Sequence, residues 1–377
     1  MNLSALLLGC LSLLLAGPVM GQKSPKTKDY YLLVGTYTTG RSEGIYVYKF
    51  NVKTGQFSPV SKATGLKNPS FLAVSPDQRF VYSVGEMAGD GAVHAFSFDK
   101  KTGNLTALNT QSSQGAGPCY VTVDNTGKWV MVGNYGAGSL TVLPVEKDGS
   151  LGKPTQNIKH EGSSINAQRQ AAPHVHSVNI AANNRDVFVP DLGVDQVVGY
   201  RLDDQTGKLT PGIPANTTKG AGPRHFAFHP NGKFAYVIQE LNSTVTAFAY
   251  REDGTLTALQ TLSTLPSDYK GGNSCADIHV SPDGKFLYGS NRVHDSIVIY
   301  AIDRKTGMLK LAGHQSVGGK TPRNFALDPS GAFVLAANQN SDNITIFRRN
   351  AKTGLLQPTG QEIQVPNPVC LKFVPVE

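Results

Sequence analysis

Gly222-Pro223-Arg224-His225-Phe226-Ala227-Phe228-His229-Pro230-Asn231-Gly232-Lys233-Phe234-Ala235-Tyr236-Val237-Ile238-Gln239-Glu240 is the stretch that decides the fold. It opens at a proline, runs through a short apolar segment to a His-Pro-Asn-Gly turn, and returns through a β-branched and aromatic run. Pro and Gly at those offsets set turn geometry, and the flanking residues favour a pleated surface, so the stretch is a hairpin of two short strands. Working outward, the same block reads Asn68-Pro69 to Glu86, Gly117-Pro118 to Tyr135, Ala172-Pro173 to Leu192, Asn273 to Arg292, and Thr321-Pro322 to Gln339.

A third strand follows each block with period-two alternation, as in Val245-Thr246-Ala247-Phe248 and Ile297-Val298-Ile299-Tyr300. Beyond it, Thr-Gly or Asp-Gly recurs at Gly55, Gly103, Gly149, Gly207, Gly254, Gly307 and Gly354, each opening a fourth apolar run. Four antiparallel strands repeating about every fifty residues describe a propeller blade. The C-terminal Asn367-Pro368-Val369-Cys370-Leu371-Lys372-Phe373 matches only the first strand of a block, and Tyr31-Leu32-Leu33-Val34-Gly35-Thr36 only the second. The expected fold is therefore all-β: a seven-bladed β-propeller of four-stranded antiparallel blades, closed by pairing the N- and C-terminal strands in one blade. A single domain over residues 22–377 follows, with its core distributed between blades.

Residues 1–21 are apolar and uncharged, and the run from Leu3 to Ala16 is too short to span a bilayer. This pattern reads as a signal peptide of a secreted or periplasmic protein. Leu7-Leu8-Gly9-Cys10 offers a lipoprotein box as the second reading. No later segment is long and apolar enough for a stable membrane span. Past the leader, Cys119, Cys275 and Cys370 are odd in number, which argues against a disulfide framework and for buried thiols. The net charge of +8 comes from scattered residues, without the Lys/Arg blocks and interleaved aromatics of a nucleic-acid surface. It suits a pocket for a small anion in a protein expected to be a monomer.

In each block the first strand runs from the Pro and the second returns antiparallel. Residues just after the Pro therefore share one channel mouth with those ending the second strand. The first set is Ser70, Cys119, His174, Arg224 and Arg323, with His176 two positions along. The second is Thr36, Glu86, Tyr135, Asp191, Glu240, Arg292 and Gln339, preceded in three blocks by Asn134, Asn291 and Asn338. Arginines, a His pair and carboxylates converging on a concave mouth suit acid–base work on a small anionic substrate. Other readings stand beside this one: His174 and His176 as structural hydrogen-bonders or metal ligands without a third partner, the arginines as inter-blade ion pairs with Glu86 and Glu240, and the asparagines as strand-end caps. His225, His229 and His279 read as surface or packing residues.

Ala221-Gly222-Pro223-Arg224-His225-Phe226-Ala227-Phe228-His229-Pro230, Pro173-His174-Val175-His176, Ser290-Asn291-Arg292 and Thr321-Pro322-Arg323-Asn324-Phe325-Ala326-Leu327-Asp328-Pro329 resemble segments of the seven-bladed lactonase family. This family includes 6-phosphogluconolactonases and fungal carboxy-muconate lactonizing enzymes. The resemblance implies metal-independent, cofactor-free chemistry, with His176, Arg224, Arg292 and Glu240 as catalytic residues. His174, Arg323, Glu86, Asn134, Asn291 and Gln339 are then expected to bind substrate. The expected function is hydrolysis of a sugar lactone, with His176 as the first candidate for the base and Glu240 as the second. A lactonizing cycloisomerase and a non-catalytic ligand-binding propeller are the alternatives.

Overall fold

The computed structural model describes residues 28–272 and 274–377; the leader expected over residues 1–21 lies outside them. Seven sheets carry the described chain. In the fourth blade along the chain, Pro223–Phe228 pairs with Phe234–Gln239, then Thr244–Tyr250, then Leu256–Ser263, all antiparallel. The other blades repeat this order from the innermost strand outward. In the third blade, the outer edge is broken into Leu209–Pro211 and Ala215–Asn216, so this sheet has five strands. Pro211 and Pro214 flank the break, and proline has no N–H to give to a ladder.

The ring closes as the sequence predicts. Pro368–Pro375 is the inner strand of a sheet whose next three strands are Asp29–Thr36, Gly44–Asn51 and Phe57–Thr64. The register runs from Tyr30 opposite Pro375 to Thr36 opposite Pro368.

The core lies between blades. The turn glycines show how one blade seats on its predecessor. Gly149 has φ of +86°, and a Cβ built there lies 2.1 Å from the Phe80 ring of the blade before. Its carbonyl accepts the Tyr82 hydroxyl of that same blade at 3.0 Å. Gly354 repeats the arrangement against Phe286 and Tyr288. Only glycine meets both the left-handed backbone and the aromatic contact. No helix among the described residues is long and apolar enough to cross a membrane.

Candidate active site

The inner strands begin at one mouth of the channel, and most of them begin with a β-bulge. The register slips between Pro223 and His225, between Pro118 and Tyr120, between Cys275 and Ile278, and between Pro322 and Asn324. A bulge sets two consecutive residues against one partner and re-aims their side chains. Arg224 and His225, adjacent in sequence, therefore both line the same pocket, a narrow cleft with a cavity volume of about 10 Å³. Blades 1, 2, 3 and 6 add Glu86, Cys119, His176 and Arg323, and the end of the closing blade adds Tyr37.

Glu240 lies behind this pocket, not among the residues that line it. Its Oε2 accepts from Arg224 Nε at 3.0 Å and lies 2.9 Å from Arg292 Nη2; its Oε1 accepts from Arg169 Nη2 at 2.6 Å. Burial alone would raise the Glu240 pKa, but Arg292, Arg224 and Arg169 outweigh it and hold the group at about 2. Glu240 is thus an anion at neutral pH that fixes three guanidinium groups. Arg224 also donates through Nη1 to the Ala276 carbonyl at 2.5 Å, and Nη1 lies 3.2 Å from His225 Nε2. Its Nη2 has no hydrogen-bond partner among the described residues. Arg292 donates to the Cys275 carbonyl and to Ser274 Oγ, and like Glu240 sits outside the pocket lining.

Arg323 lies over the Tyr37 ring, 5.4 Å from its centroid, and has no hydrogen bond or ion pair with any described residue. Every other arginine at this mouth is spent on Glu240. Arg323 is therefore the cation with no carboxylate paired to it among the described residues, and it lines the same pocket. Glu86 takes the Tyr37 hydroxyl at 2.9 Å and the Ser70 hydroxyl at 2.5 Å, both on Oε2. No described group donates to its Oε1.

His176 is buried. Its Nδ1 lies 3.7 Å from Cys119 Sγ, and its Nε2 stands 3.8 Å from Glu240, beyond a hydrogen bond. Burial, then Arg224 and His225, push its pKa well below the ordinary imidazole value, so it is a weaker base than a histidine titrating near neutrality. The Cys119 thiol is pushed up to about 12 by burial and Glu86, which keeps it a thiol. His174 stacks on Tyr135 at 4.4 Å and bonds the Tyr135 carbonyl through Nδ1 at 2.9 Å.

Asn134 and Asn291 are fully buried within their blades. Asn134 Nδ2 donates to Ser113 O and Ser139 Oγ, and Asn291 Nδ2 to Thr264 O and Ser296 Oγ. Gln339 begins a 3₁₀ turn, Gln339–Ser341, outside the pocket lining. The structure thus brings His176, Arg224, Arg323 and Glu86 together around the cavity, sets Glu240 and Arg292 behind it, and keeps the two asparagines inside the sheets.

Two groups escape a reading by repeats. His225 is buried, with Nδ1 2.7 Å from Asp277 Oδ1 and its ring edge-on to Phe71, Tyr120 and His176. Arg169 comes from the connection between the second and third blades, which is pinned by His160 on Asp191 and by Ser164 and Gln170 on Asp195. Among the described residues no group of three or more His, Cys, Asp or Glu is placed to hold a metal ion.

The profile of the family described as "Lactonase, 7-bladed beta-propeller" matches residues 31–373. The chain belongs to this family. Among similar members of the lactonase family, a 6-phosphogluconolactonase of Bacillus subtilis is 38% identical over 92% of this chain and 98% of its own length. A 6-phosphogluconolactonase of Formosa agariphila is 40% identical over 78% of this chain and 85% of its own. The structure of a periplasmic gluconolactonase from Pseudomonas aeruginosa superposes with a TM-score of 0.88 at 37% identity, covering 93% of this chain and all of that one.

Proposed function

We propose that this lactonase-family protein hydrolyses an anionic sugar lactone, with 6-phosphogluconolactone as the reference substrate, without a metal or other cofactor. Arg323, a cation lining the pocket with no protein anion paired to it, carries the reading. Arg323 grips the anionic substituent, and Arg224 Nη2 donates to the carbonyl oxygen as negative charge builds there. Donors fixed before the reaction act most strongly in a site shielded from water, and Glu240 supplies that fixing by holding Arg224 and Arg292 in place. The names of the Bacillus, Formosa and Pseudomonas relatives support lactone hydrolysis as the reaction class. Export by the residue 1–21 leader is part of the same proposal, as is action as a monomer, since one chain supplies every pocket residue named above.

The test is lactone opening followed by pH-stat with glucono-δ-lactone and its 6-phosphate, corrected for spontaneous hydrolysis. Wild type is expected to turn over the phosphorylated lactone with the higher kcat/KM. Arg323→Met is expected to lose about 10–100-fold on that substrate, as one charge-assisted contact is worth about 1.5–3 kcal/mol, and much less on the neutral lactone. Equal losses on both lactones would reject Arg323 as the anion anchor. No turnover of either lactone, or of a muconolactone run in parallel, would reject the hydrolase reading in favour of a binding propeller.

A further inference from the structure

The lactone reaction needs a group that takes a proton from water inside the pocket, and the residues with the strongest sequence case are poorly arranged for it. Both oxygens of Glu240 are held by guanidinium groups, and the residue does not line the cavity. His176 also lines the cavity, with Nδ1 toward Cys119 and Nε2 3.8 Å from Glu240, but burial and the neighbouring Arg224 hold it well below the ordinary imidazole pKa, which makes it a weak base. A base must keep an acceptor site open toward the water it activates.

We propose that Glu86 is the general base, an inference that rests on the lactone-hydrolase reading above. Three observations place it. Glu86 lines the same cavity as Arg224 and Arg323. The Tyr37 and Ser70 hydroxyls both donate to Oε2, which fixes the carboxylate and leaves Oε1 without a donor among the described residues. Unlike Glu240, it forms no ion pair with any described residue. Tyr37 also carries Arg323 over its ring, so one side chain ties the base to the anion anchor.

Glu86 Oε1 takes a proton from water as the water oxygen bonds to the lactone carbonyl carbon. The carbonyl π pair moves onto its oxygen, toward Arg224 Nη2. As the carbonyl re-forms, the bond from carbon to the ring oxygen breaks, and the ring oxygen takes the proton back from Glu86. The product is the hydroxy acid, whose carboxyl proton is released to solvent. Tyr37 and Ser70 are positioning residues in this scheme.

The experiment compares wild type, Glu86→Gln and Glu86→Ala on 6-phosphogluconolactone by pH-stat, with thermal melts of each, and repeats Glu86→Ala with added formate. Expected are a 10²–10⁴-fold fall in kcat for Glu86→Gln with KM within a few-fold, and at least a tenfold recovery of Glu86→Ala by formate. A structural role does not produce that recovery, because a small free carboxylate replaces a proton acceptor and not a packing contact. The inference is overturned if Glu86→Gln keeps kcat within threefold, or if formate leaves Glu86→Ala unchanged. In either case wild-type turnover leaves the hydrolase reading standing, whereas a wild type inert on every lactone removes both.

Discussion

At the scale of single residues, the mouth of this propeller is organised by buried charges whose protonation is decided by burial and neighbours. His225 illustrates the balance. Burial and Arg224 lower its pKa from 6.5 to about 4, against the opposing pull of Asp277. The folded chain thus holds His225 neutral at pH values where the unfolded chain has already bound a proton. Stability from this group is complete above pH 6.5 and is lost as pH falls through about 4, an amount of about 3 kcal/mol. Glu240 adds a second, more acidic window, from 4.5 down to about 2. Urea unfolding of wild type is therefore expected to show falling stability between pH 7 and 4.5. In His225→Gln that fall should be clearly smaller, with His176, His94, His229 and His314, whose pKa values burial also lowers, contributing to the remainder. A variant as pH-sensitive as wild type over this range would show that the histidine is not held neutral.

At the scale of the strand, the Pro-led hairpin and the Gly turn were legible because each imposes one local geometry, repeated. Gly149 sits where φ is positive and where any Cβ meets Phe80, so the same residue type must recur wherever that docking recurs. Gly149→Ala is expected to cost about 2–4 kcal/mol, combining left-handed strain with overpacking of the ring, while kcat on the lactone stays near wild type because the turn lies at the outer hairpin. A lowered thermal midpoint with intact turnover would check it; an unchanged midpoint would show that Phe80 simply moves aside. The pocket was only partly legible, for a reason that also belongs to strands. Period-two alternation puts neighbours on opposite faces, so Arg224 in the site implied His225 out of it. The bulge at Pro223/His225 breaks that rule. Arg169 was hidden differently: it lies in a connection between blades, outside the repeated strands. Glu86 and Glu240 occupy equivalent strand ends, and no pattern in the sequence separates the open carboxylate from the one enclosed by arginines.

At the scale of the whole molecule, closure of the ring and assembly of the site are one event. The strand Pro368–Pro375 pairs along the length of Asp29–Thr36 and buries Val369, Cys370, Leu371 and Val374. The junction also builds the pocket. Val369 is one of its walls, and the Tyr37 N–H donates to the Asn367 carbonyl at 3.1 Å, which holds the Tyr37 side chain against Glu86 and under Arg323. Ending the chain at Asn367 would leave Tyr30, Leu32 and Val34 on an unpaired inner edge, a template for pairing with other chains. The truncated protein is thus expected to self-associate and to lose turnover. Those two results alone would not distinguish a lost site from a lost fold. A peptide spanning residues 368–377, added in trans, separates them: it can restore the ladder without a covalent link. Recovery of both a single scattering species and measurable lactone opening is expected at high peptide concentration, since the strand brings its own wall of the pocket. If solubility returns but turnover does not, closure serves the scaffold alone. If the truncated protein is monomeric and fully active without peptide, the closing strand has no part in placing Tyr37, and the site must be held by the other six blades.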